Sequence, residues 1–227
     1  MPDRDAEDYS CMKFSTIAVP VSLTALVLSG CSRDGELDIS SGVGVSTTRT
    51  GCPTVAVPDG TGDVTLFNPA GSQEASAIDV VASITNVRPT CNEGGEKIFS
   101  QASFDVQARR VDTRGARSVT VPYFSTVVQG GSAVISKRVG QIMLQFADGQ
   151  PRATASGKVA SYIDGASARL PADIVAKITK KRKPGDADAA LDPMADPEVR
   201  AAVVRSSFEM LVGFQLTEDQ LKYNVTR

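Results

Sequence analysis

Histidine is absent from this 227-residue chain. With it go the commonest general base, the commonest zinc ligand and the usual partner of a Ser or Cys nucleophile. Tryptophan is absent as well, and aromatic residues make up only 5%, so any core must be built from Val, Ala, Ile and Leu. Net charge is nearly absent: 26 acids face 24 bases. Residues 1–31 hold Asp3, Asp5, Glu7, Asp8, Arg4 and Lys13; removing these leaves 22 acids and 22 bases. A neutral remainder has no global field to draw in nucleic acid, so no nucleic-acid partner is expected. No Gly-rich run follows a strand and opens a helix, and no internal repeat is present. No Ser-x-x-Lys stands beside a matching second motif. These gaps exclude most common catalytic designs, and we expect neither a catalytic residue nor a cofactor. What remains, at 41% hydrophobic residues, is a globular composition.

The N-terminal region carries the most specific signal. Residues 14–30, FSTIAVPVSLTALVLSG, form an uncharged run preceded by Lys13. At 17 residues, with Pro20 inside, the run is short for a membrane span, which needs about 20. A positive start, an apolar stretch and small residues at the end are the anatomy of a secretory signal. The run ends Leu28-Ser29-Gly30-Cys31, which resembles the lipobox of bacterial lipoproteins. That resemblance implies cleavage before Cys31 and acylation of its sulfur and new amino group. Two acyl chains already anchor a protein stably, at about 0.8 kcal/mol per buried methylene. In that family Asp after the Cys tends to retain a lipoprotein in the inner membrane. Ser32 therefore implies the periplasmic face of the outer membrane. Residues 1–11 are acidic where a signal needs positive charge, so translation is expected to start at Met12. Residues 1–30 are thus read as extension and signal peptide. Residues 31–51, rich in Gly, Ser and Thr, read as a flexible tether of about 25 Å root-mean-square span.

From Cys52 the pattern changes. Ile78, Val80, Ala82 and Ile84 alternate, as do Ile98, Ala102, Phe104, Val106 and Ala108. Such alternation marks half-buried antiparallel strands. Further strands are expected over 117–128, 133–146 and 152–163, with one or two short ones in 53–68. Hairpin turns are expected at Asp112–Gly115, Gly130-Gly131 and Asp148-Gly149. Gly140 and Gly157 interrupt their runs and predict bulges or bends. Pro122 cannot donate to a ladder and predicts an edge or a bulge. Six or seven strands in 52–165 predict a mainly β fold: an antiparallel β-sandwich, immunoglobulin- or fibronectin-like, or a small barrel.

After Gly165 the chain reads as a C-terminal helical appendage, 166–227. Residues 172–181 follow Pro171 and gather cations at their end. Residues 184–196 form a polar linker. Asp196-Pro197 is an N-cap with Pro at the first position, opening a helix to about Gly213. Thr217–Gln220 is a capping box for a last short helix. On a helix over 197–213, Val199, Val203, Val204, Phe208, Met210 and Leu211 cover about half the circumference. That is more apolar surface than one sheet contact buries. Val204, Phe208 and Leu211 thereby become a candidate interaction surface for an envelope partner or for self-association. Segments from IDVVASITNVRPTC to VGFQLTEDQLKYN are similar to uncharacterised proteobacterial envelope lipoproteins, which implies an address and no mechanism.

Cys52 and Cys91 remain. An even pair in an oxidising compartment predicts a disulfide. Two cysteines without His are too few for a metal site. Lys180–Lys183 could meet anionic headgroups, although a solvated helix end is the plainer reading. Arg109, Arg110, Arg114 and Arg117 are read as surface around a hairpin tip. A glycan platform would need an exposed aromatic, and Tyr123, Phe124 and Tyr162 are the mid-domain candidates. The function expected is a non-enzymatic accessory or adaptor, lipid-anchored through Cys31. The alternatives are a glycan- or lipid-headgroup-binding module and, last, a periplasmic enzyme.

Overall fold

The computed structural model describes residues 50–183, 185–187 and 190–226. Leu28, Ser29, Gly30 and Cys31, with the signal segment and the tether up to residue 49, lie outside them. The described chain is a mainly β fold of two four-stranded sheets. The first orders its strands β1 (Thr54–Ala56), β8 (Phe208–Phe214), β5 (Arg117–Gln129), β6 (Ala133–Phe146). The second orders β2 (Asp63–Phe67), β3 (Ile78–Asn92), β4 (Lys97–Arg110), β7 (Arg152–Asp164). All neighbours are antiparallel except β1 and β8. No ladder joins the sheets among the described residues, so this is a sandwich and not a closed barrel.

Alternation places the core as the sequence predicts. Val80 and Ala82 of β3, with Ala102, Phe104 and Val106 of β4, are at most 1% exposed. They meet Val121, Leu144, Met210, Val212 and Phe214 of the first sheet. Ile98, Val127, Ile163, Ala168 and Phe208 form a smaller core at the end where the described chain begins.

Two turn expectations need correction. Gly130-Gly131 does close the β5–β6 hairpin, with both residues at positive φ. The other two turns also place a glycine in the left-handed region, Gly115 and Gly149. They do not make hairpins, because 111–116 and 147–151 each carry the chain from one sheet to the other. Gly140 and Gly157 are not bulges either, since the register runs unbroken through both. A Cβ at Gly157 would sit 2.4 Å from the Phe104 ring, and one at Gly140 would sit 2.5 Å from the Tyr123 ring. Each glycine lies directly opposite its aromatic. The two rings meet edge to face, 5.3 Å apart, in the middle of the sandwich. The glycines make room for that contact.

Pro122 sits in a central strand. Its carbonyl accepts from Gln215 N at 2.9 Å, so its missing N–H would point the same way, toward β8. The β8 ladder ends at Tyr123–Phe214, and the pairing with β6 loses nothing.

The largest correction concerns the last third. Its first helices, α1 (Gly165–Ala168) and α2 (Ala172–Thr179), follow β7. The helix opening at Pro197 is capped as expected, Asp196 accepting from Glu198 N. It ends at Arg205 as α3 (Pro197–Arg205), and the following residues form β8. Ser206 and Ser207 turn their hydroxyls back onto the carbonyls of Ala202 and Val203. Phe208, Met210, Val212 and Phe214 then alternate inward, at most 7% exposed. So dense an apolar run satisfies both periods, and pairing with β1 and β5 selects the strand. The sandwich is therefore completed from within the region read as a helical appendage. α2 and α3 pack on one another through Ile174, Val199 and Ala202. Lys177 forms ion pairs with Glu198 and Asp196. The last helix, α4 (Glu218–Thr226), closes its capping box between Thr217 and Gln220. It lies over edge strand β2, where Asn224 donates to the Gly60 and Asp63 carbonyls.

Candidate functional site

The Cys52–Cys91 disulfide is present, with Cα atoms 6.1 Å apart. A bulge explains its position. β3 slips one residue against β4 between Thr85 and Arg88, where Asn86 takes positive φ. Even-numbered residues face inward before the slip, and odd-numbered ones after it. Cys91 therefore stands opposite the inward-facing Ser100, on the side from which Cys52 approaches. Glu93 holds the entering chain by accepting from Cys52 N at 3.3 Å. A hydrogen bond from the Thr50 side chain and the backbone of Gly51 and Cys52 lower its pKa. Cys52, Cys91 and Glu93 cluster closely enough to mimic metal ligands. The sulfurs are bonded to each other and offer no thiolate.

Val204, Phe208 and Leu211 do not form one surface. Val204 lies on α3 beside the Gly130 turn and is 46% exposed. Phe208 faces inward. Leu211 is half-buried on the outer face of β8, opposite Thr126. The helix that would have aligned them ends before Phe208. Tyr123 is in the core, and Phe124 lies beneath Lys137. Tyr162 is exposed and rests on Phe99, 5.1 Å away. Lys180, Lys181 and Lys183 are exposed beyond the end of α2. Along edge strand β6, Val134, Ile135, Val139 and Met143 are more than half exposed.

The arginine cluster is the part the sequence most misjudged. Arg110, read as surface, is 1% exposed. It continues the inward parity of Phe104, Val106 and Ala108, and that parity was the available signal. Its guanidinium donates to the carbonyls of Thr113 and Gly115 in one sheet-crossing connection. It also donates to those of Ala147 and Gln150 in the other, all four bonds at 2.8–2.9 Å. Its charge lies over the Phe146 ring. Asp148 accepts from Gly115 N and Gly149 N donates to Thr113 O, which completes a clasp between the two connections. Arg114 pairs with Asp112, whose carboxyl is held far below the usual range by that contact. Arg117 pairs with Asp79 through two bonds. This clasp stands at the far end of β4 from the disulfide, roughly 33 Å along the strand from Ser100 to Arg110.

The outer face of the second sheet is a series of polar cross-strand rows. Val81, Arg109 and Arg152 stand abreast at the clasp end. Next come Ser83, Gln107 and Thr154, then Thr85, Asp105 and Ser156. Asp105 accepts from Ser156 Oγ at 2.6 Å and from Asn86 Nδ2 at 2.7 Å. Those two bonds, with Arg88 nearby, lower its pKa. The first two rows floor an open groove of about 670 Å³, walled by Ala75, Ile78 and Val111. Its volume is in the range of small-molecule sites.

Comparison with known family models, curated proteins and solved structures finds no match to this chain. No helix among the described residues is long and apolar enough to cross a membrane.

Proposed function

We propose that this chain is a lipid-anchored envelope protein, acting as a non-enzymatic accessory that holds a rigid sandwich off the membrane. The run Leu28-Ser29-Gly30-Cys31 carries the reading. Acylated Cys31 is its membrane partner, and Ser32 favours the periplasmic face of the outer membrane. The described chain enters the sandwich beside Ile98 and the disulfide. The clasped connections lie at the opposite end of β4 from that entry point. The exposed apolar side chains along β6 support association with another envelope protein, a role that the segment after Arg205 no longer supports. Metabolic palmitate labelling should be lost in Cys31→Ala, and persistent labelling would contradict the anchor. Crosslinking in intact cells should recover a constant partner that Val139→Lys with Met143→Lys loses. Recovery of the chain alone would contradict the accessory role.

A second reading, a binding module for glycans or headgroups, is favoured by one observation. The groove on the second sheet presents hydroxyl and amide side chains in register beside apolar walls.

A further inference from the structure

Arg109 and Arg152 are direct cross-strand partners on one face of the sheet. Like charges placed so, with Cβ atoms about 5 Å apart, destabilise a sheet. Neighbouring arginines are all provided for. Arg110 has four carbonyls, Arg114 has Asp112, and Arg117 has Asp79. Among the described residues, neither the Arg109 nor the Arg152 guanidinium has a carboxylate within 4.0 Å or a hydrogen-bond acceptor. The two acids on β3 and β4 are committed elsewhere. Asp79 is held by Arg117, and Asp105, two rows or about 13 Å along β4, is held by Ser156 and Asn86.

Both unneutralised guanidiniums line the groove. Two such forks side by side match a single oxyanion, which each can grip through paired N–H donors. The adjoining row of Ser83, Gln107 and Thr154 offers two hydroxyls and a carboxamide about 7 Å away. Val81, Ile78 and Val111 offer apolar surface beside them. We propose that this groove binds an anionic saccharide, its phosphate or carboxylate held between Arg109 and Arg152 and its hydroxyls on the Ser83–Gln107–Thr154 row. The proposal deepens the second functional reading and rests on it, independently of the anchor.

Amide chemical-shift titration of the mature chain, carrying Cys31→Ser to keep it in solution, tests this. The probes are glucose 1-phosphate, inorganic phosphate and neutral maltotriose. Glucose 1-phosphate should give saturable shifts confined to residues 81–85, 107–111 and 152–154. Arg109→Ala with Arg152→Ala should weaken it tenfold or more. Ser83→Ala with Gln107→Ala should weaken glucose 1-phosphate and leave phosphate unchanged. Equal binding of phosphate and glucose 1-phosphate would overturn the saccharide. Maltotriose binding as tightly as glucose 1-phosphate would overturn the anion site and leave the binding module standing. Absence of saturable shifts with all three would overturn both. Should the double variant fail to fold, Arg152→Gln alone must show the same loss, or the proposal is wrong.

Discussion

The two faces of β4 are in opposite states of completion. On the inner face, Arg110 is surrounded by carbonyls and an aromatic ring, and its apolar neighbours are sealed from water. The Ser100 hydroxyl is the buried group on that face left without a partner. On the outer face the adjacent residue, Arg109, stands against a second arginine, and its guanidinium has no acceptor among the described residues. One charge closes the fold, and the other is left open to solvent. The comparison teaches that residue type does not decide the role of an arginine here. Strand parity does: one step along the chain moves the guanidinium from a structural clasp to a face that can recruit a ligand.

The inner face can be broken first. Arg110→Ala would strip four part-buried carbonyls of their charged donor, a hydrogen bond of that kind being worth about 1.5–3 kcal/mol. Chemical denaturation should show that loss, and hydrogen exchange should show 111–116 and 147–151 opening together. If those connections kept their protection, they would not be held by Arg110. The disulfide supports the opposite end. Cys52→Ala with Cys91→Ala removes a crosslink across 39 positions, worth roughly 4 kcal/mol in the chain-entropy account. The clasp end should then keep its exchange protection. Gly157→Ala comes next, forcing a methyl group into the Phe104 ring. Overpacking of this kind costs about 1–3 kcal/mol. Adding Phe104→Leu should cost less than the sum of the two changes, because the smaller side chain vacates the clash.

Much of the inner face was readable from the sequence. Alternation located β3, β4 and their core positions, and the pair of cysteines located the disulfide. The caps at Asp196 and Thr217 were readable because capping is local chemistry. The failures came where local patterns are degenerate. FEMLVGF is apolar enough to fit either period, and only its sheet neighbours select the strand. Gly140 and Gly157 looked like interruptions because their reason is an aromatic on another strand. The clasp was missed because a pair of arginines suggests surface, although parity placed Arg110 inside. The groove was not readable at all. Arg109 and Arg152 are 43 positions apart in the chain, and only the β4–β7 register makes them opposites.

The outer face allows finer tests. The Asp105 pKa is lowered in the fold by Ser156 and Asn86. Its contribution to stability is therefore full above the unfolded carboxyl value of about 4 and lost as pH falls through the lower folded value. Thermal melts between pH 5 and pH 2.5 should fall less steeply in Asp105→Asn than in the parent. An identical slope would mean that the Ser156 and Asn86 bonds do not favour the charged form.

The most direct measurement is the melting temperature of Arg152→Gln with and without glucose 1-phosphate. Without ligand, relief of the like-charge pair should raise it by about 1–3 °C, the equivalent of a few tenths to one kcal/mol in a domain of this size. With ligand, the parent should gain stability and the variant should gain little. A variant less stable than the parent, or one stabilised equally by the ligand, would contradict the account of an outer face left open for an anion.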